Sequence, residues 1–158
     1  MRLFIAFRVP SESLLLLQKK LSIENVKMVH EFHCTLKFLG EVAHENVSKI
    51  IEALHTISFV PFTLYFSNVG TFPTLQNIRA VWVGLKPEEQ VVTLQRQIDH
   101  ALQDIFPREE RFTPHVTLAR VKSLRGRDAV KNVVQHLKIE QKEFVVNEFI
   151  LFKSELRG

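Results

Sequence analysis

The spacing of apolar and polar residues changes repeatedly along this chain, and each change marks the border of a predicted element. Alternation with a period of two, as over residues 62–69, predicts a strand because successive side chains point to opposite faces. Apolar residues three or four apart, as over residues 45–55, predict a helix with one apolar face. Pro10, Pro87 and Pro107 stand at the borders of predicted helices, where proline is tolerated or ends a helix.

These patterns predict six strands and four helices. The strands cover residues 2–8, 33–38, 62–69, 79–85, 115–120 and 143–156. The helices cover residues 11–21, 45–55, 87–106 and 126–137. Residues 71–74, with the sequence Thr-Phe-Pro-Thr, are predicted to form a loop because they are rich in turn formers.

The second half of the chain repeats the order of the first: strand, helix, strand, helix, strand. The spacing agrees as well, since 62 − 33 and 144 − 115 both give 29 residues between equivalent strand positions. We therefore predict two similar lobes within one domain spanning residues 1–158, each lobe a small sheet with helices on one face, in the α+β class. Two such lobes leave a cleft between them.

Two copies of the pattern His-x-Thr-Leu stand in equivalent predicted strands, at residues 33–36 and 115–118. With seven histidines, eight threonines and nineteen leucines in 158 residues, about 0.04 matches are expected by chance. The repeated motif therefore indicates either that both copies have the same chemical role or that they derive from an ancient duplication. The duplicated order of elements predicts that the two histidines face each other across the cleft.

Two facing histidines and two threonines suit displacement at phosphorus. A neutral histidine is a base and a protonated one an acid near pH 7, so His33 and His115 can take up one proton and release another. Thr35 and Thr117 point the same way as the histidines and can donate hydrogen bonds to a phosphate oxygen. The structural alternatives are that the histidines are core residues retained from a duplication and that the threonines are present for their β-propensity. Against the first alternative, both histidines fall on the polar face of their strands. These residues do not distinguish the proton donor from the acceptor.

Strict alternation also predicts which way the neighbouring side chains point. It places Lys37 on the histidine face, where the amine either reaches phosphate or is solvated at the strand end. It places Cys34, Leu36 and Phe38 on the apolar face, with Cys34 as a small core residue and not a nucleophile. It places Arg120 on the apolar face of its strand, which allows a role in the cleft only where the strand ends or bulges.

The composition and net charge limit the possible classes of function but do not identify the function. A net charge of +4 agrees with a polyanionic partner such as RNA, although many proteins without such a partner share it. The single cysteine excludes an internal disulfide and a cysteine-based zinc cage, and it predicts a cytoplasmic location. No apolar run is long enough to span a bilayer. No cluster of metal ligands is visible, so we expect neither a metal nor a cofactor.

The chain resembles the 2H phosphoesterase superfamily, and within it the bacterial and archaeal RNA 2′,3′-cyclic phosphodiesterases, also called 2′-5′ RNA ligases. The matching segments run from end to end, at residues 1–6, 33–40, 72–73, 79–82, 112–120 and 151–156. The resemblance implies a bilobal, pseudo-twofold fold of two antiparallel sheets with outer helices and a central cleft. It also implies opening of a terminal 2′,3′-cyclic phosphate to a 2′-phosphate, with 2′-5′ ligation as a reverse or side reaction.

By the same resemblance His33 is the proton donor to the 3′ oxygen and His115 the proton acceptor that activates water. It also implies phosphate contacts from Arg120 and Arg79, although Arg79 could simply open a strand. The chain departs from the family at residues 26–29, where Val-Lys-Met-Val replaces an Arg-Trp-like pair. The implied partner is RNA with a cyclic phosphate end, such as halves of tRNA, or a nucleotide, and a monomer is expected.

Two other functions compete with this one. The first is a nucleotide- or RNA-binding module that kept the cleft and lost turnover. The second is a phosphodiesterase for small nucleotides, such as 2′,5′-oligoadenylate or a cyclic ADP-ribose phosphate. Substitution of His33 distinguishes the binding module from an enzyme, and comparing turnover on RNA ends and on mononucleotides distinguishes the two enzymes.

Overall fold

A computed structural model describes residues 1–22, 26–122 and 127–154 of the chain. The strands are β1 (Arg2–Arg8), β2 (Val26–Met28), β3 (His33–Glu41), β4 (Phe62–Pro73), β5 (Ile78–Lys86), β6 (His115–Val121), β7 (Glu143–Val146) and β8 (Ile150–Ser154). The helices are α1 (Glu12–Lys20), α2 (Val47–His55), α3 (Glu89–Ala101) and α4 (Arg127–His136), and a 3-10 turn at His44–Asn46 leads into α2. Within these described ranges, no helix has the length and apolar character needed to cross a membrane.

The strands form two antiparallel sheets, which confirms the α+β prediction. One sheet has the strand order β3-β1-β8 and the other has the order β2-β6-β5-β4-β7. The helices contact the sheets at α3 against β3, α1 against β6 and α4 against β5. One motif strand therefore lies in each sheet, β3 in the smaller and β6 in the larger.

The two halves of the sequence exchange elements. β4 comes from the first half but pairs with β5, whereas β8 comes from the end of the chain and pairs with β1. The helices cross over in the same way, because α1 contacts β6 and α3 contacts β3. The sheets are therefore not the two halves of the sequence. The smaller sheet takes β8 from the second half, and the larger sheet takes β2 and β4 from the first half.

The prediction of a single last strand over residues 143–156 is wrong. This stretch is two strands, β7 and β8, which pair with β4 and β1 in different sheets. Residues 147–149 carry the chain from one sheet to the other, a break that the apolar pattern does not reveal. Residues 155–156 of the predicted strand lie outside the described residues.

The predicted loop at residues 71–74 is also wrong over most of its length, because β4 continues to Pro73. Thr71 pairs with Val81 and Phe72 pairs with Ala80 of β5. Backbone pairing with a neighbouring strand thus outweighs the local turn preference of these residues. The third helix is shorter than predicted and ends at Ala101. The predicted start of the fourth helix, residue 126, lies outside the described residues.

The alternation in β1 shows how the core and the open face are divided. Leu3, Ile5 and Phe7 are buried, whereas Phe4 is half-buried and Arg8 exposed. The buried residues belong to one hydrophobic core that also contains side chains from the helices and from both motif strands. The other face of the sheet is left free to carry the candidate site.

Candidate active site

The two motif strands contact each other although they belong to different sheets. The thiol of Cys34 in β3 meets the backbone of His115 in β6. Burial raises the pKa of this thiol to about 12, and the backbone hydrogen bond from His115 opposes the increase. Cys34 is therefore the buried core residue that the sequence predicted, and its position shows that the first motif packs directly against the second.

A bulge in β3 changes the direction of the side chains that follow the first motif. Consecutive residues of β1 pair with Thr35 and Lys37, so Leu36 is an extra residue on β3. Leu36 and Lys37 are both buried in succession, and Phe38 is 69% exposed. The alternation predicted for His33 to Leu36 is confirmed, but beyond Leu36 it inverts, because a bulge shifts the pleat by one residue. Phe38 consequently joins the histidine face.

The second motif carries a bulge at the equivalent residue. Consecutive residues of β5 pair with Thr117 and Ala119, so Leu118 is the extra residue on β6. Leu118 and Ala119 are both fully buried, and Arg120 is exposed. Arg120 therefore lies on the face of His115 and Thr117, as the sequence allowed only if the strand bulged here.

Lys37 lies in the core, so the prediction that it shares the histidine face is wrong. Its side chain is 2% exposed, forms an ion pair with Asp99 of α3, and donates a hydrogen bond to the carbonyl of Pro107 at 2.8 Å. The Asp99 carboxylate also accepts hydrogen bonds from Gln95 Nε2 at 3.0 Å and from the Glu109 backbone at 3.1 Å. With these partners the buried charges are satisfied, and Lys37 serves the structure instead of reaching phosphate.

The ring of His33 is half-buried against aromatic side chains. The ring centroid of Phe4 is 5.0 Å away and that of Phe152 is 5.9 Å away, and these two phenylalanines stack on each other at 5.0 Å. The Arg8 guanidinium lies 5.4 Å from the Phe152 centroid. Burial lowers the pKa of His33, and the nearby charge of Glu31 raises it by a smaller amount. The protonated ring of His33 is thus a stronger acid than an exposed histidine.

The ring of His115 is oriented by the backbone. Its Nδ1 lies 2.8 Å from the carbonyl oxygen of Thr113. A carbonyl only accepts, so Nδ1 must carry a proton, and in the neutral ring Nε2 is left with a free lone pair. The indole of Trp82 meets the same ring edge-on at a centroid distance of 6.0 Å. The neutral form of His115 can therefore act as a base at Nε2.

Glycine allows the Trp82 indole to pack closely against the sheet backbone beside His115. A Cβ placed on Gly70 would lie 2.3 Å from the indole of Trp82, so this ring lies directly over the β4 backbone. Gly84 pairs with His115, and a Cβ there would lie 2.7 Å from the Ser67 hydroxyl. Glycine at residue 70 is required for the indole to lie this close, whereas a side chain at residue 84 would require the Ser67 hydroxyl to move.

The two motif threonines stay on the predicted face, and the structure adds a second cation beside Arg120. Thr35 and Thr117 are half-buried, as His33 and His115 are, and each lies two residues after its histidine on the same face of the strand. Arg120 pairs with Lys27 of β2, whose side chain is exposed on the same face because paired residues of neighbouring strands point the same way. Like charges directly opposite each other cost stability, and an anion between them removes that cost.

Within the described part of the chain, Arg79 forms no side-chain hydrogen bond or ion pair with the residues of this cluster. It is exposed near the start of β5, at a register shift of the β4–β5 pair. Its predicted contact with phosphate stays a prediction. Among the described residues, no group of three or more His, Cys, Asp or Glu is placed to hold a metal ion.

The sequence model of the 2′-5′ RNA ligase superfamily matches residues 27–158. The chain belongs to this superfamily. It is 36% identical to an RNA 2′,3′-cyclic phosphodiesterase of Archaeoglobus fulgidus and 31% identical to one of Methanocaldococcus jannaschii. In each case the match covers 99% of this chain and 92% of the relative.

Solved structures agree with this assignment. The fold is similar to that of TT0787 of Thermus thermophilus, with a TM-score of 0.82, 25% identity, and coverage of 100% of this chain and 91% of the other. It is also similar to E. coli LigT complexed with 3′-AMP, with a TM-score of 0.75, 25% identity, and coverage of 99% and 88%. The bilobal 2H phosphoesterase fold expected from the sequence is thereby confirmed.

Two members of the site were missed from the sequence. Phe38 was predicted to face the core, and Lys27 lies in a segment that was not predicted to be a strand. The bulge at Leu36 hides the first, because a bulge leaves no mark in the apolar pattern. The second becomes visible only through pairing of β2 with β6. The aromatic residues around His33 come from both ends of the chain, which no local pattern can connect.

Proposed function

We propose that this protein hydrolyses a terminal 2′,3′-cyclic phosphate of RNA to a 2′-phosphate. The observation that carries the proposal is the hydrogen bond between His115 Nδ1 and the Thr113 carbonyl. It leaves the neutral ring of His115 with a free lone pair at Nε2, which suits a base, and His33 of the other motif strand is then assigned as the acid. One histidine acting as a base and the other as an acid is what proton transfer to and from the reacting oxygens requires. Membership of the superfamily and the activity named for its relatives support the same reaction.

In the proposed reaction His115 is the base. Its Nε2 takes a proton from a water molecule as the water oxygen forms a bond to phosphorus. The bond from phosphorus to the 3′ oxygen breaks, and the electron pair leaves with that oxygen. His33, in its protonated form, gives a proton to the 3′ oxygen. The products are a 2′-phosphate and a free 3′ hydroxyl, and solvent then exchanges protons with both rings.

Three side chains are proposed to stabilise the negative charge that builds up on the non-bridging phosphate oxygens. Thr35 and Thr117 can each donate a hydrogen bond to a non-bridging oxygen, and Arg120 can donate two in parallel. Lys27 lies opposite Arg120 and adds a second positive charge at the rim. The repulsion between these two cations favours a bound anion over an empty site.

The nucleoside is proposed to lie on the His33 side of the site. The 3′ oxygen belongs to the ribose, so the group that protonates it must be close to the sugar. The surface beside His33 is aromatic, with Phe38 exposed and its ring 6.2 Å from that of Phe4. Aromatic faces are the usual platforms for an unpaired base.

The same geometry allows ligation. A 5′ hydroxyl of a second RNA in place of water would lose its proton to His115 as its oxygen bonds to phosphorus. The bond from phosphorus to the 3′ oxygen would break, and His33 would protonate that oxygen, which leaves a 2′-5′ linkage and a free 3′ hydroxyl. RNA ends, including tRNA halves, are the proposed substrates, and the protein is proposed to act as a cytoplasmic monomer.

The test is an oligoribonucleotide that ends in a 2′,3′-cyclic phosphate, incubated with the protein in excess EDTA. We expect a 2′-phosphate product that is lost in both His33→Ala and His115→Ala. Arg79→Ala is the comparison, because retained turnover in this variant would show that Arg79 lies outside the site. A 3′-phosphate product would reverse the leaving-group assignment. Binding without turnover would indicate the binding module, and turnover of mononucleotides alone would indicate the small-nucleotide enzyme.

A further inference from the structure

A buried amide side chain holds the bulge of β6. Gln18 of α1 is 8% exposed, and its Nε2 donates hydrogen bonds to the carbonyl of Leu118 at 2.9 Å and to the carbonyl of Val29 at 2.6 Å. The backbone N–H of Val29 donates to the same Leu118 carbonyl at 3.0 Å. Leu118 is the extra residue of the bulge relative to β5, and its carbonyl receives both of these donors on the side of β2.

The other motif strand has a related support. Gln95 lies six residues after the first residue of α3, as Gln18 does in α1 (95 − 89 and 18 − 12). Gln95 Nε2 donates to Asp99, the ion-pair partner of Lys37 in the bulge of β3. Each motif strand thus has a buried glutamine on the helix from the other half of the sequence. Gln18 bonds directly to the backbone of β6, whereas Gln95 bonds to the carboxylate that pairs with Lys37 of β3.

The bulge decides which side chains reach the substrate. Without the extra residue Leu118, strict alternation would bury Arg120 and turn Ala119 outward. The Leu118 carbonyl lies one residue after Thr117 and two residues before Arg120, so a donor that holds this carbonyl holds the backbone that carries both side chains. No atom of Gln18 needs to touch the substrate for this effect.

We propose that Gln18 is a positioning residue that holds the Leu118 bulge and thereby presents Arg120 to the substrate phosphate. The inference rests on the proposed function, because it assigns Arg120 to the phosphate of that reaction. It predicts that the effect of Gln18 on the reaction depends on Arg120. A side chain that merely stabilises the fold would act on the reaction equally with or without Arg120.

The test is a double-mutant cycle of Gln18→Met and Arg120→Ala, with methionine chosen because its length is similar and it has no donor. The readouts are kcat/KM on RNA with a cyclic phosphate end and the Kd of adenosine 2′-monophosphate. We expect Gln18→Met to lower kcat/KM by roughly tenfold in the native background and by less than about twofold in Arg120→Ala. The loss in Tm should be the same in both backgrounds.

The matched control is Gln95→Met, which removes the equivalent amide on α3, the helix that contacts the other motif strand. Its effect on kcat/KM should be independent of Arg120. Equal losses for Gln18→Met in both backgrounds would overturn the proposal. Should the methionine variant not fold, Gln18→Asn, which keeps a shorter amide, takes its place in the same cycle.

The two proposals fail in different ways. If the native protein binds adenosine 2′-monophosphate without turning over the cyclic phosphate, the proposed function fails, and the cycle measured on Kd still decides the role of Gln18. If the native protein turns over the cyclic phosphate but the cycle shows no coupling, the proposed function stands and the role of Gln18 falls. Neither turnover nor binding would overturn both.

Discussion

Phe38 and Arg120 occupy equivalent places in the two motif strands, each three residues after the motif threonine and each turned onto the histidine face by a bulge. The duplicated strand geometry thus presents an aromatic ring on one side of the site and a cation on the other. This difference fits a substrate with a base at one end and a phosphate at the reacting end. Contacts with the base and contacts with the phosphate can therefore be tested separately, by substituting Phe38 or Arg120 alone.

Substituting these two residues should affect different kinetic constants. Arg120→Ala should lower kcat by about 10²–10³-fold, because a donor aimed at the developing charge acts mainly in the transition state. Phe38→Ala should raise KM by roughly tenfold with a smaller change in kcat, because stacking on a base is present in the ground state as well. Steady-state kinetics on a cyclic phosphate RNA end provides both constants. The same kinetic pattern for both variants would contradict the division of roles.

The lowered pKa of His33 predicts a pH-dependent change in its ring and in folding stability. Because the folded pKa lies below the unfolded value, the neutral ring contributes stability that is present above about pH 6.5 and is lost as the pH falls through the folded pKa. Titration of the ring by NMR should give a pKa below 6.5. Glu31→Gln should lower it further, since the Glu31 charge raises it. A pKa unchanged by Glu31→Gln would show that burial acts alone.

Gly70→Ala should displace the indole of Trp82, because the new Cβ would lie 2.3 Å from the ring. Trp82 is the single tryptophan of the chain, so its fluorescence reports the displacement directly. We expect a shifted emission maximum and a reduced kcat/KM, since Trp82 packs against His115. Gly40→Ala is the control: nothing lies within 4 Å of its Cβ position, and its φ of +70° costs stability without touching the indole. An identical emission change in both variants would argue against a local effect.

Breaking the buried ion pair should be costly for the fold. Lys37→Met leaves the Asp99 carboxylate buried without its cation, which should lower the free energy of unfolding by about 3–5 kcal/mol. The double variant Lys37→Met, Asp99→Leu should recover much of this loss, because no uncompensated charge remains. Urea unfolding of the three proteins measures both quantities. If the single and double variants were equally unstable, packing at Lys37 would matter more than charge.

Removing Lys27 should separate stability from anion binding. Lys27→Ala removes a like charge opposite Arg120, so the free protein should gain roughly 0.2–1 kcal/mol of stability. The same variant should bind adenosine 2′-monophosphate more weakly, because a cation at the phosphate is lost. Calorimetric unfolding and titration measure the two effects, and Lys131→Ala on α4 provides a control at another lysine. Loss of stability in Lys27→Ala would show that the two cations do not repel each other.

Much of the fold follows from local patterns. The alternation of β1, the helical spacing of α2 and the repeated order of elements predicted the α+β class and the duplication, because these features depend on residues close together in the chain. The repeated motif picked out the two histidines and the two threonines for the same reason. Cys34 was correctly assigned to the core from its place in the alternation.

The tertiary structure decided the rest through pairing between distant segments. The bulges at Leu36 and Leu118 exist only because neighbouring strands pair around an extra residue, and they move Lys37 into the core and Arg120 out of it. The split of residues 143–156 into β7 and β8 depends on partners in two different sheets. The sequence by itself thus determined the fold class and the candidate residues of the site, whereas long-range backbone pairing decided which side chains lie beside them.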